Sequence, residues 1–177
     1  VQPSLLIASP QMRDPFFERT VVLVWHHDAQ GAIGVVVNKP LEHSLGDVLE
    51  VSDAPGIDRT DVAVAWGGPV EAGTGTVVTT GQLEADEGWV VAGGLAVTRS
   101  QDALLRLLRE RSPLMLCLGY AGWGPGQLDA ELERGGWLWT DCDHSIVFDV
   151  PAAERYDKAL ATLGLTADMV WMTPIDE

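Results

Sequence analysis

Leu114-Met115-Leu116-Cys117-Leu118-Gly119-Tyr120 is an unbroken apolar run, bounded by Pro113 on one side and a glycine-rich stretch on the other. It is too short for an ordinary helix and has no polar face to offer to water. Such a run fits a strand buried at the centre of a sheet. A strand buried on both faces needs layers to cover it. A chain of 177 residues has the length for one compact domain, and at that size about 70% of the unfolded surface can be buried without disulfide staples.

The rest of the chain offers those layers. Ser4 to Ala8 reads as a strand stopped by Ser9-Pro10. Thr20 to Trp25 and Ile33 to Val37 are β-branched runs, and His26 to Gly31 between them is predicted as a hairpin loop. Val62 to Trp66, Thr74 to Thr80, Trp89 to Ala92, Gly136 to Thr140 and Ser145 to Asp149 are further strand expectations, with a turn at Glu84 to Gly88. Asp14 to Arg19 predicts a turn whose Phe16 and Phe17 both need burial.

Helices are expected at Ser44 to Glu50, capped by Ser44 and followed by an exposed acidic loop from Asp53 to Asp61, and at Gln127 to Arg134. The clearest is Gln101 to Arg111, capped by Ser100, with Leu104, Leu105, Leu107 and Leu108 in one stripe. A last helix begins near Pro151 and stops at Gly164, with Tyr156, Ala159, Leu160 and Leu163 facing inward. Hairpins alternate with crossovers, so the expected class is α+β, with α/β-type layers and a mixed sheet flanked by helices. With no repeat and no long linker, residues 1–177 are expected to form a single domain.

Composition removes several function classes. Hydrophobic residues make up 46% of the chain, too many for a disordered acidic tail. Against 26 acidic side chains stand 11 basic ones, a net charge of −15 that opposes direct DNA binding. No run of about 18 apolar residues is present to make a membrane helix. The opening Val1-Gln2-Pro3-Ser4-Leu5-Leu6-Ile7 does not read as a secretory signal. Cys117 and Cys142 form neither a C-x-x-C pair nor a disulfide framework. The expected location is the cytoplasm.

Few residues point to chemistry. Gly119-Tyr120-Ala121-Gly122-Trp123-Gly124-Pro125-Gly126-Gln127-Leu128 joins the buried strand to a helix, where free N–H groups can hold an anion. It lacks the Lys-Ser or Lys-Thr of a phosphate loop and the spacing of a dinucleotide fingerprint, and Asp129, Glu131 and Glu133 would repel phosphate. It is a tight turn that packs Trp123, or a seat for a small ligand. His26-His27-Asp28 and Asp141-Cys142-Asp143-His144 lack the spaced pairs of a zinc site, so no metal is expected. Cys117 reads as a buried hydrophobe, and the charges of Asp141 and Asp143 would raise the Cys142 pKa. No catalytic residue and no cofactor is assigned. Seven tryptophans, with Trp137 and Trp139 on one strand face, suit a core, a subunit contact or a stacking platform. Arg106, Arg109 and Arg111 suit a solvated helix face or an acidic partner.

Longer motifs carry a resemblance. Pro3 to Pro10, Asp14-Pro15-Phe16-Phe17-Glu18-Arg19-Thr20-Val21-Val22, His27, Gly31 to Pro40, Gly67-Gly68-Pro69-Val70-Glu71, Leu118 to Leu128, Trp137-Leu138 and Asp143 to Asp149 together resemble the YqgE/AlgH family over almost the whole chain. The resemblance implies a compact fold with a bifurcated, mostly antiparallel sheet. It implies a bacterial protein without an established biochemical activity, in a group where one member is named as a regulator of alginate production. Many relatives have Cys-Glu-His-Asn where this chain has Trp25-His26-His27-Asp28, and Thr74 and Thr79 replace an Arg and a His common after the Gly-Gly-Pro motif. Activities that need those side chains are therefore not expected here.

The expected function is a non-enzymatic cytoplasmic binding or regulatory protein. Its ligand-binding surface is expected around Asp14, Arg19, His27, Asn38, Tyr120, Gly122, Trp123, Gly124 and Gln127. The partner is an unidentified protein or small ligand. Two alternatives stay open: a small-metabolite enzyme or ligand sensor using the Gly119 to Gln127 turn, and a homo-oligomer joined through its tryptophans.

Overall fold

The computed structural model describes residues 4–43, Leu45 and residues 62–166. The strands are β1 (Ser4–Ala8), β2 (Val21–Asp28), β3 (Gly31–Val36), β4 (Ala63–Trp66), β5 (Val70–Thr79), β6 (Gly88–Val90), β7 (Ala96–Thr98), β8 (Leu114–Trp123) and β9 (Trp137–Asp141). The helices among the described residues are α1 (Gln101–Arg109), α2 (Gln127–Glu133), α3 (His144–Phe148) and α4 (Ala152–Ala161). The expected helix at Ser44 to Glu50 and the loop at Asp53 to Asp61 lie outside the described residues, apart from Leu45. None of the described helices is long and apolar enough to cross a membrane.

The strands follow the order β6-β7-β5-β8-β3-β2-β1-β9, with β4 on β8 off this path. Among the described strands only the β4–β8 pairing is parallel. The apolar run is indeed the central strand, and the sheet forks along it. Leu114 to Leu118 of β8 lies between β4 and β5, whereas Ala121 to Trp123 pairs with β3. The fork falls at Gly119, whose φ of 81° is left-handed and whose added Cβ would meet the Gly68 carbonyl oxygen at 2.3 Å. No other residue type fits both conditions without moving the backbone.

Two apolar clusters fill the fork: a larger one that runs through both arms, reaching Ala65, Val78, Met115 and Cys117, and a smaller one under α1. Leu5 to Ala8, Val21 to Trp25 and Val35 to Val37 are buried with Ile146, Val147, Tyr156, Ala159 and Leu160 from α3 and α4. Leu104, Leu107 and Leu108 of α1 pack on Val77, Leu114 and Leu116. Ser100 caps α1 by accepting the Ala103 N–H at 3.1 Å, as its sequence suggests.

The structure corrects several local expectations. His26 to Gly31 is not a loop: β2 continues through Asp28, β3 begins at Gly31, and only Ala29-Gln30 turn. Asp28 Oδ1 holds this tight turn by accepting the Gln30 N–H at 2.8 Å. Gly119 to Trp123 is strand, leaving Gly124 to Gly126 as the turn before α2. Ser145 to Asp149 lies largely in helix α3, because Asp143 Oδ1 accepts the Ser145 N–H at 2.9 Å and starts a helical turn that buries Ile146 and Val147. The short strand β7 was not anticipated. Leu163 is 38% exposed rather than inward, and α1 ends at Arg109, with Arg111 left-handed. Phe16 is 55% exposed, against the expectation that both phenylalanines are covered.

Candidate functional site

The turn that follows β1 organises the surface. Asp14 Oδ1 accepts the N–H groups of Phe16 and Phe17 at 2.8 and 3.1 Å, and Asp14 O accepts the Glu18 N–H at 2.9 Å. A short carboxylate two and three residues upstream of free N–H groups fixes such a turn without help from the rest of the fold. It ends at Arg19, which is left-handed at φ 56°. Asn38 clamps this exit. Its side chain is buried, accepts the Val21 N–H at 2.8 Å and donates to Arg19 O at 3.0 Å.

The two phenylalanines lead into separate recesses. Phe17 enters a recess of about 270 Å³ between the turn and α2, lined also by Asp14, Gly122, Trp123, Gln127 and Glu131. Its ring stacks with Trp123 at 6.3 Å and meets Trp137 edge-on at 5.7 Å. Both indoles donate to Glu131 Oε1, at 3.1 Å from Trp123 and 2.9 Å from Trp137, and Gln127 Nε2 donates to Glu131 Oε2 at 3.0 Å. Gln127 Oε1 in turn accepts the Gly124 N–H at 2.9 Å. The glycine turn is therefore held by the chain's own side chains, with an amide oxygen on the Gly124 N–H that an anion would seek.

Phe16 points to the other side and stacks on Trp66, with ring centroids 6.2 Å apart and planes at 21°. The pair lies in a groove of about 530 Å³ lined also by Pro15, Glu18, Arg19, Lys39, Pro40 and Leu41. Arg19 lies over the Tyr156 ring at 4.6 Å and 3.8 Å from Asp157. Both members of that ion pair are more than half exposed, so water screens it heavily.

Of the sequence-predicted residues, Asp14, Gly122, Trp123 and Gln127 share the aromatic recess, with Gly124 bonded to Gln127 at its side. Arg19 lines the groove, with Asn38 beneath it. His27 is buried against α2, its Nε2 3.3 Å from Asp129 Oδ1. Tyr120 stands apart, under the Arg99 guanidinium at 4.9 Å. Sequence reasoning missed Phe16, Trp66, Lys39 and Glu131. The available signal was Phe16-Phe17 directly after Asp14-Pro15, since adjacent aromatics on a clamped turn cannot both enter one core.

Burial pushes both thiols up to about 12, by desolvation alone at Cys117 and by desolvation with the Asp141 charge at Cys142. Both are free and buried, with their thiolates strongly disfavoured. The Gln30 N–H, with His26 beside it, holds the Asp28 carboxyl below its ordinary range. Among the described residues no cluster of three or more His, Cys, Asp or Glu could hold a metal.

A sequence model of the AlgH-like family matches residues 5–168. A UPF0301 protein of Paracoccus denitrificans (strain Pd 1222) is 41% identical over 177 residues, covering 96% of this chain and 92% of the relative. One from Shewanella sp. (strain ANA-3) is 40% identical over 174 residues, covering 94% and 93%. The solution structure of the AlgH protein from Pseudomonas aeruginosa superposes with a TM-score of 0.77 at 36% identity, covering 99% of this chain and 95% of that one. A crystal structure from Corynebacterium diphtheriae shares the fold at a TM-score of 0.76 and 20% identity, covering 97% and 92%. With its forked, mostly antiparallel sheet and this full-length match, the chain belongs to the AlgH-like family, also called UPF0301.

Proposed function

We propose that this protein is a non-catalytic binding protein of regulatory type, acting in the cytoplasm. Its partner is a protein whose acidic segment, carrying an aromatic or large apolar side chain, docks in the Phe16–Trp66 groove. The observation that carries this reading is Phe16 itself. A clamped turn holds this large ring 55% exposed, stacked on Trp66, in a groove lined by Arg19 and Lys39. On a chain of net charge −15, a groove where two cations outnumber the single carboxylate of Glu18, beside an exposed ring stacked on a half-buried one, is a local exception, complementary to an acidic and apolar segment.

The candidate polar groups elsewhere support binding over chemistry. Asp14, Asn38, Gln127 and Glu131 direct their polar atoms at the chain's own N–H, amide and carbonyl groups, as residues that shape a surface do. The overall acidity disfavours a nucleic acid as partner, and two free buried thiols suit a reducing compartment.

Titration of ¹⁵N-labelled protein with short blocked peptides tests the reading. A peptide pairing acidic with aromatic residues is expected to shift the amides of Phe16, Lys39 and Trp66. A basic aromatic peptide and an acidic peptide without an aromatic are not. An equal response to the basic peptide would overturn the assignment.

A further inference from the structure

Arg99 is held in an unusual way. Its guanidinium lies over the Tyr120 ring at 4.9 Å and over the Trp25 ring at 5.4 Å, while Nε donates to Thr76 Oγ1 at 3.2 Å. Trp25 and Thr76 are buried, so the platform beneath the guanidinium is fixed. The chain carries 26 carboxylates, yet none of the ion pairs among the described residues includes Arg99. By contrast, Arg106 on the neighbouring helix pairs with both Glu87 and Glu110. An arginine stacked on aromatic faces and bonded through Nε loses little freedom when its terminal nitrogens engage a planar oxyanion.

The same residue lines a recess of about 430 Å³ whose apolar wall includes Val77, Leu104, Leu116 and Leu118. That volume lies within the range of small-molecule sites, which are largely apolar with a few fixed polar groups. The recess lies apart from the Phe16–Trp66 groove, and the two share no lining residue.

We infer that Arg99 and this recess form a binding site for a small carboxylate with an apolar body, the carboxylate on the guanidinium and the body against the leucines. Each half alone would be weak. Arg99 without the recess would hold any anion, and the leucines without Arg99 would hold any apolar solute. Together they select a molecule with both features.

The test uses the whole chain, with benzoate and hexanoate as probes and inorganic phosphate as the comparison anion. Arg99 Nε–H and the methyl groups of Leu104, Leu116 and Leu118 are followed by NMR. Saturable shifts at both places are expected with each carboxylate, and Arg99→Gln should weaken binding by about 10- to 100-fold, the range for a lost charged hydrogen bond. Arg99→Lys should recover only part of this, because it keeps the charge and loses the fork. Shifts at Arg99 without the leucine methyls, equal competition by phosphate, or no saturation in the wild type would each overturn the site. If Arg99→Gln does not fold, the wild-type methyl and Nε shifts decide by themselves. Failure here leaves the groove reading intact, since the peptide titration reports on different residues.

Discussion

Asn38 and Asp14 make the groove possible without lining it together. Asn38 ties the start of β2 to the end of the Asp14–Arg19 turn through one accepted and one donated hydrogen bond, both to main-chain atoms. Removing this buried amide leaves the Val21 N–H and the Arg19 carbonyl without those partners. Asn38→Ala is expected to cost about 2–4 kcal/mol, from one or two unsatisfied buried groups, measured by urea denaturation. A loss below about 0.5 kcal/mol would mean that water replaces the clamp fully. The sequence shows Asn38 only as a polar residue between a strand and Lys39-Pro40, so its part in the turn was readable through the family resemblance alone.

At the scale of elements, α2 fastens the aromatic recess through one residue. Glu131 Oε1 receives both indole N–H groups, of Trp123 from β8 and of Trp137 from β9. Glu131→Ala leaves two indoles, both in largely buried side chains, without an acceptor, and should destabilise by at least about 2 kcal/mol. Glu131→Gln keeps an acceptor oxygen and should avoid a good part of that loss; equal damage from both variants would show that the charge, not the acceptor, matters.

Helix α3 gives a pH signature. The Ser145 N–H and hydroxyl hold Asp143 below the ordinary carboxylate range. A carboxylate with a lowered folded-state pKa contributes stability that is present above its unfolded pKa of about 3.9 and is lost as pH falls through the folded value. Asp143→Asn should therefore be less stable than wild type near neutrality, with the gap closing as pH drops below about 4. A gap independent of pH would contradict the capping role.

These elements also show what the sequence could reveal. Long periodic segments such as α1, and the single apolar run of β8, declared themselves because burial on one or both faces is written in their spacing. Asp143 to Asp149 did not. Ile146, Val147 and Phe148 favour a strand locally, and the Asp143 cap overrides that preference within one turn. β7 is only three residues long and is defined by its partners β5 and β6. The candidate site was legible as a set of residues and not as two recesses, because the direction of Phe16 and Phe17 depends on where β4 and α2 pack.

For the whole molecule, the fork at Gly119 is what gives the groove its place. β8 carries β3 on one stretch and β4 with β5 on the other, so Trp66 at the end of β4 comes to lie under the turn that follows β1. Residues far apart in sequence thus share one surface: Phe16 and Arg19 from the turn, Lys39 and Pro40 after β3, and Trp66 from β4. The role proposed for this surface is to read an acidic, aromatic segment of a partner. The most direct measurement is a selection of random displayed peptides on wild-type protein and, in parallel, on a Phe16→Ala/Lys39→Glu double variant shown by circular dichroism to be folded. Peptides that combine Asp or Glu with an aromatic residue are expected to be enriched on the wild type and not on the variant. Enrichment of basic peptides, or the same peptides on both proteins, would contradict it.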